Sequence, residues 1–465
     1  MGTVFGTDGI RDRAGHGWLA LSKVTLIARA AGSLLARRAS AFRTPVPRGF
    51  ARLRTGVSRT SPARGCVLIG RDPRASGPGI ERALAEGFAA HGVGVALAGV
   101  VTTPGVSYLA RRWGCALGVV ISASHNPAED NGIKFISPQG FKIPDAAEEA
   151  IEAILSSGDA PAKPRRQAPA PKDVTKRLSE YVDFLSGFSR PLKGMKIVID
   201  CGHGAASALA GPLFRRLGAR VTALNASPDG KNINAGCGAL HPEGVVRAVR
   251  REKADIGVAF DGDADRAILV DEKGEVRDGE HVLALCGIHL KEGRKLRGNR
   301  IVSTVMANFG LERHLADRGI SLTRTKVGDR YVAEEMARSG AVLGGEPSGH
   351  VLFFDASPAG DGMLTALRVF DVLRERGQKL SETAFRKFPQ VLLNVRVARK
   401  PALEKVPALQ AAVRAAEREL GSDGRILVRY SGTESLCRVM VEAPRADMVD
   451  RLARAVAGAV EKELT

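Results

Sequence analysis

The sequence predicts an α/β protein: three similar α/β domains with mixed, largely parallel sheets, followed by a C-terminal α+β domain. Two observations predict it. Short apolar runs of strand length alternate with helical-period segments, and that rhythm restarts twice after its first appearance. Beyond residue 391 it gives way to strands alternating with two amphipathic helices. The length of 465 residues fits three or four domains of roughly 100–200 residues each. An apolar content of 44% is ample for packed cores.

Leu21 to Arg38 has apolar residues at helical spacing. Cys66 to Gly70 reads as a buried strand, Gly79 to Ala90 as a helix, and Val93 to Ala98 and Ala116 to Ile121 as strands. This β-α-β order implies parallel pairing with helices over the sheet. Residues 158–172, rich in Pro, Ala and charge, read as a surface linker. After a predicted helix from Val174 to Phe188, strands recur at Met195 to Asp200, Val221 to Leu224 and Ile256 to Phe260. A third series starts with Arg300 to Val305 and Gly340 to Gly344. Strands at 392–397, 425–429 and 437–442 then alternate with helices over 402–420 and 445–463. The predicted domains are 1–172, 173–278, 279–390 and 391–465.

The net charge of +19 points to an anionic partner, either nucleic acid or a small anionic substrate. Arg37 to Arg64 holds eight arginines and no acidic residue, and its prolines and glycines read as an exposed loop. Only Phe42 and Phe50 lie nearby, so a base-stacking surface is poorly supported and nucleic acid is not the expected partner. No apolar run approaches the roughly 18 residues of a membrane span. No basic stretch leads into an apolar one near Met1, which predicts no secretory signal. The six cysteines are scattered without a C-x-x-C, which predicts reduced thiols and a cytoplasmic protein. Monomer and homodimer both remain open.

Five loops carry candidate chemistry. The apolar run Leu117 to Ile121 stops in Ser122-Ala-Ser-His-Asn-Pro127, which sets hydroxyls and an imidazole at a loop mouth. Ser124 is either a turn cap or a phosphate carrier. No G-x-S-x-G surrounds it, so acyl transfer is not indicated. Lys134 is either a cation for the reaction or an ordinary strand-edge lysine. Asp261, Asp263 and Asp265 alternate with Gly and Ala directly after a strand, an oxygen-only donor set suited to Mg²⁺ rather than Zn²⁺. Glu346, Ser348 and His350, set among Gly345 and Gly349, make a hydrogen-bonding set for a polyhydroxylated ligand. Arg429, Ser431, Gly432 and Thr433, with Arg438 beyond, have the composition of a phosphate cradle. Phe5 to Arg11 is glycine-rich and ends in an arginine.

In that order, F-G-T-D-G-I-R, S-A-S-H-N-P, D-G-D-A-D-R, G-E-P-S-G-H and R-Y-S-G-T-E resemble the motifs of the α-D-phosphohexomutase superfamily. The resemblance spans essentially the whole chain. It implies four domains around a central cleft, each giving one loop. It implies that Ser124 is the phosphorylated serine, required for activity, and that it holds one Mg²⁺ with Asp261, Asp263 and Asp265. Arg11, His125 and Lys134 would line the reacting end. Glu346, Ser348 and His350 would contact sugar hydroxyls. Arg266, Gly328, Asp329 and Arg330 would join them in binding substrate. Arg429, Ser431, Gly432, Thr433 and Arg438 would grip the phosphate that is not reacting. Asn131 to Phe135, Asn232 to Glu243 and Thr325 to Val332 are further similar to the phosphoglucosamine mutases. That branch implies interconversion of glucosamine 6-phosphate and glucosamine 1-phosphate, for amino-sugar nucleotide and cell-wall precursor synthesis. The route is a phosphoserine enzyme and a bisphosphorylated sugar. Pro347 departs from the glutamine usual there, and phosphomannomutase/phosphoglucomutase activity is the alternative. A polyanion-binding protein and a Mg²⁺-dependent phosphatase are the rivals of other classes.

Overall fold

A computed structural model describes residues 4–6, 8–44, 61–158, 169–431 and 435–465. The chain forms two compact units, residues 1–305 with 323–384, and residues 306–322 with 385–465.

The larger unit contains the three α/β sheets that the alternating pattern predicts. In the first, the strand order is Ile10–Arg13, Asp130–Ile136, Leu117–Ile121, Val67–Arg71, Val95–Val100, Lys172–Asp173. Its middle strands pair in parallel, and Asp130–Ile136 runs antiparallel to both of its neighbours. Leu117–Ile121 is buried at every position, as expected of an interior strand covered on both faces. The second sheet runs Val276–Arg277, Ala267–Asp271, Ile256–Phe260, Lys196–Asp200, Arg220–Leu224, and the third Ser321–Thr325, Arg300–Thr304, Leu343–Gly345, Val351–Phe353. Both combine parallel strands with an antiparallel hairpin.

The smaller unit has one antiparallel sheet, ordered Gln390–Arg396, Leu436–Glu442, Arg425–Tyr430, with helices Pro407–Leu420 and Ala446–Leu464. Val439, Val441, Leu452 and Val456 lie in its core. Arg425 ties residues 306–322 to this sheet by donating to the Ala307 carbonyl at 2.7 Å.

One regularity positions the chemistry. Ser124, the three aspartates and the Gly345–His350 loop each lie between two adjacent antiparallel strands, 117–121 and 130–136, 256–260 and 267–271, 343–345 and 351–353. In the smaller unit, Ser431 follows the first of another such pair, 425–430 and 436–442.

Three expectations need correction. The helix predicted over 402–420 begins only at Pro407, after a 3-10 turn at Leu403–Lys405. The single helix predicted over 174–188 is a short 3-10 turn, Thr175–Arg177, followed by a helix at Ser179–Ser186. Lys172 and Asp173 pair with Ala96 and Leu97, and Asp173 Oδ1 accepts from Thr175 N at 2.8 Å, so the chain leaves an extended edge through a capped turn. Phe42, counted beside the arginine-rich loop, is fully buried in the first core. Residues 45–60 of that loop and 159–168 of the linker lie outside the described residues.

Candidate active site

In the larger unit, the motif residues of all three sheets meet in one buried cluster. Ser124 is 1% exposed and takes a left-handed backbone, φ +53°. Its amide donates to Ser122 Oγ at 2.9 Å, and Ser122 Oγ donates to Asp72 at 2.6 Å. The Ser124 hydroxyl donates to Asp261 Oδ2 at 2.6 Å and lies 3.4 Å from His125 Nδ1. Burial, then the nearby Arg266 and Arg11 charges, push the His125 imidazole down to about 4, so it is neutral at pH 7.

Arg74, which the sequence reading missed, fixes this loop. Its fully buried guanidinium pairs with Asp72 at 2.9 Å and donates to the carbonyls of Ser124, Asn126, Pro127 and Asp130. Its only sequence signal was an Asp-Pro-Arg following a strand. Gly262 explains the glycine within the aspartate motif: a Cβ there would lie 2.5 Å from the Ser124 carbonyl. The serine and aspartate loops therefore touch backbone to backbone.

Asp261, Asp263 and Asp265 are all buried and bring carboxylate oxygens within 4.8 Å of one another. Thr103 Oγ1 and Lys134 Nζ both donate to Asp263 Oδ2, at 2.6 and 3.0 Å. Among the described residues, Asp263 Oδ1 and Asp265 Oδ1 have no hydrogen-bond partner, although both are buried. Two orphaned oxygens beside a third carboxylate and a serine hydroxyl fit a hard divalent cation such as Mg²⁺. Burial, then Asp265 and Asp263, push the Asp261 carboxyl well above its ordinary range. Burial also disfavours the Asp265 carboxylate, but His350, Lys134 and Arg266 outweigh it and hold that group low.

Lys134 is not at a sheet edge. It lies on the second strand of six, 2% exposed, within 3.2 Å of Asp8 and 3.8 Å of Asp265. Burial opposes its charge, and Asp263, Asp8 and Asp265 more than restore it. From Asp8, which also pairs with Arg11, the contacts run to Lys142 and on to Asp329 at 2.7 Å. Asp329 lies 3.7 Å from His350 Nε2, and His350 Nδ1 lies 3.7 Å from Asp265. Burial lowers the His350 pKa, but Asp265 and then Asp329 and Glu346 raise it to about 9. The charges thus alternate around a closed ring. Asp8, visible in the sequence only as part of the Phe5–Arg11 stretch, and Lys142 were not singled out, because their partners around the ring lie more than a hundred residues away.

The expected sugar loop abuts this ring. Glu346 accepts from Gly328 N at 3.2 Å, joining the 328–330 stretch to it. Ser348 Oγ is buried without a hydrogen-bond partner among the described residues. Arg266 and His350 form a bridge between the second and third sheets. Arg330 differs from its neighbours: its guanidinium donates to Glu148 at 3.0 Å, to Asp145 and to the Ile143 carbonyl. A cavity of about 350 Å³ is lined by Lys142, Asp329 and His350 and by apolar Phe141, Ile143 and Leu352.

In the smaller unit, Arg429 and Arg438 lie directly opposite each other across the hairpin. Like charges so placed repel, which favours an anion between or beside them. Burial, then Arg438, lowers the Arg429 pKa. Ser431 is buried, and its carbonyl accepts from Lys400 at 3.0 Å. Gly432 and Thr433 lie outside the described residues.

Four family models match the chain in order. They are phosphoglucomutase/phosphomannomutase alpha/beta/alpha domain I over residues 48–162, domain II over 179–274, domain III over 278–391, and the C-terminal domain over 392–459. The chain is 45% identical over 468 aligned residues to a phosphoglucosamine mutase of Symbiobacterium thermophilum, covering 100% of each. It is 46% identical to a phosphoglucosamine mutase of Solibacter usitatus, covering 99% of each. A solved phosphoglucomutase/phosphomannomutase family protein of Burkholderia thailandensis superposes with a TM-score of 0.78 at 25% identity, covering 99% of this chain and 97% of that one.

Proposed function

The chain belongs to the α-D-phosphohexomutase superfamily, and from that premise we propose that it interconverts glucosamine 6-phosphate and glucosamine 1-phosphate. The full-length identity of 45–46% to phosphoglucosamine mutases supports the choice of sugar. The observation that carries the chemistry is the Ser124 hydroxyl, 2.6 Å from Asp261 in a buried carboxylate triad with two orphaned oxygens.

Phospho-Ser124 donates its phosphoryl group to the free sugar hydroxyl. The Ser124 O–P bond breaks, a sugar O–P bond forms, and the proton lost by the sugar hydroxyl leaves Ser124 as a free hydroxyl. The bisphosphorylated sugar then turns and returns its other phosphate to Ser124. Mg²⁺, held by Asp261, Asp263, Asp265 and the Ser124 phosphate, would neutralise charge on the group in transfer. Lys134 and Arg11 add positive charge at that end, and Arg266 faces it from the aspartate loop. Glu346, Ser348, His350, Gly328 and Asp329 orient the sugar ring. Arg330, engaged by Glu148, acts by holding the 328–330 stretch in place. Arg429, Ser431 and Arg438, with Gly432 and Thr433, bind the idle phosphate. Charge rather than sugar shape suits that task, because either end of the sugar must be accepted. We assign these roles to domains 1–172, 173–278, 279–390 and 391–465. The six cysteines are free, which supports a reducing, cytoplasmic setting.

Assaying glucosamine, glucose and mannose phosphates side by side tests the reading. The expected result is the highest kcat/KM with glucosamine phosphate. Preference for mannose or glucose phosphate would return the chain to the phosphomannomutase/phosphoglucomutase alternative, and release of free phosphate alone would mark a phosphatase.

A further inference from the structure

The loop Asn232–Gly238 contributes no side chain to the charged ring, yet it reaches the phosphoserine loop. Asn234 Nδ2 donates to the Ser124 carbonyl at 2.9 Å and to the Asn126 carbonyl at 3.0 Å. Arg74 Nη2 donates to the same two carbonyls, at 3.1 and 2.8 Å. One donor belongs to the first sheet's connections and the other to the second sheet's, so the serine loop is gripped from both sides. Each donor is itself braced. Arg74 pairs with buried Asp72 at 2.9 Å. Asn234 N donates to the Gly202 carbonyl at 2.9 Å. Buried Asp200 accepts from Gly202 N at 2.8 Å and from Gly238 N at 3.1 Å, which ties Gly202 and the far end of the Asn232–Gly238 loop to one carboxylate.

We infer that Asn234 and Arg74 are positioning residues that hold Ser124 in one geometry whether or not it carries phosphate. Ser124 has φ +53°, a conformation that a residue with a Cβ keeps only when its surroundings enforce it. Phosphoryl transfer changes the charge on this residue by about two units. A loop held only through its phosphate would relax once the phosphate left. The clamp instead holds main-chain carbonyls, whose charge does not change during the cycle. The free hydroxyl therefore waits in the position from which it gave up the group. In the return step the sugar O–P bond breaks, the Ser124 O–P bond re-forms, and the serine proton passes to the sugar oxygen.

This inference rests on the mutase reading and predicts a defect in partitioning rather than in folding. Arg74 is a poor test, because its removal strands the buried Asp72 carboxylate. Asn234, at φ +58°, can be replaced by glycine without backbone strain. For Asn234→Gly we expect kcat to fall about tenfold with KM nearly unchanged. The amount of bisphosphorylated sugar released per turnover should rise several-fold, with the melting temperature and Mg²⁺ titration close to wild type. Asn234→Asp keeps the backbone preference but turns an acceptor toward two carbonyls, and it should be worse than glycine. The measurement uses full-length enzyme carrying labelled phosphate on Ser124, mixed with glucosamine 6-phosphate and followed by separation of labelled bisphosphate from monophosphate. If Asn234→Gly partitions the label as wild type does, the clamp is refuted and the mutase reading stands. If wild-type phosphoenzyme yields no bisphosphate, both fall.

Discussion

Ser124 shows why one residue can be legible by type and illegible by setting. A serine ending an apolar strand could cap a turn or carry a phosphate, and the aspartate motif elsewhere in the chain favoured the second. Its left-handed backbone, its hydrogen bond to Asp261 and the carbonyl clamp behind it depend on residues that only the fold brings near. Arg74, Asp8 and Lys142 stayed hidden for the same reason: an isolated arginine, aspartate or lysine has no periodicity, and the contacts that give each its role, to the serine loop or across the charged ring, are distant in sequence even where a near neighbour such as Asp72 or Arg11 also pairs with it. Ser124→Ala should abolish turnover while leaving the melting temperature within a degree or two, since only a hydroxyl is lost and the alanine methyl keeps the backbone geometry's steric demands. Phosphate incorporation, read by intact mass, should vanish in the same variant. Full activity in Ser124→Ala would end the phosphoserine reading. Lys134→Met asks about the buried ring. It removes the cation shared by Asp8, Asp263 and Asp265, leaves uncompensated buried carboxylates, and should cost about 3–5 kcal/mol in metal-free protein. Chemical denaturation measures this, and an unchanged midpoint would show that the ring contributes nothing to folding.

Among the elements, strands were the most readable part. Interior strands such as Ile256–Phe260 are continuous apolar runs because helices or other layers cover both faces, and the predicted and observed bounds coincide there. The split of residues 174–188 was not readable, because it depends on two residues pairing with a distant edge. Helix Gly362–Arg376 carries a feature of a different kind at its start. Its N-cap, Asp361, accepts from Leu364 N at 3.0 Å and from the Tyr181 hydroxyl at 2.6 Å, both side chains being fully or nearly fully buried. Burial pushes the Asp361 carboxyl up to about 6, against the hydrogen bonds that favour its charge. The folded state therefore holds this proton more tightly than the unfolded chain does. The associated stability is complete below the unfolded value near 4 and is lost as pH rises through about 6. The shift corresponds to about 3 kcal/mol, an order-of-magnitude figure. Asp361→Asn keeps an acceptor for the cap and removes the titration. Between pH 4.5 and 7.5 its stability should fall less than that of wild type, and parallel pH profiles for the two proteins would refute the assignment.

At the scale of the whole molecule, the larger unit gathers three sheets on one buried cluster in which carboxylates and cations alternate. Binary patterning foretold the sheets, because burial imposes a period on the sequence. It could not foretell the cluster, which is a property of how hairpin loops converge. Convergence makes metal binding and folding one problem. The triad comes from the second sheet, Ser124 and Lys134 from the first, and His350, 3.7 Å from Asp265, from the third. A cation on Asp261, Asp263 and Asp265 relieves repulsion among carboxylates that exist together only in the folded unit, so it binds the native state in preference to the unfolded one. Stabilisation should therefore grow with the logarithm of free Mg²⁺, reaching about 2.7 kcal/mol at a hundredfold excess over the dissociation constant. Chelation should reverse it. Because burial and the neighbouring aspartates raise the proton affinity of Asp261, protons compete with Mg²⁺ for that carboxylate, and the gain should shrink as pH falls. Asp263→Asn removes one charged ligand and should flatten the dependence of melting temperature on Mg²⁺, a readout independent of activity. If that variant keeps the wild-type slope, the three aspartates do not hold the metal, and the alternation of charge around Lys134 serves folding alone.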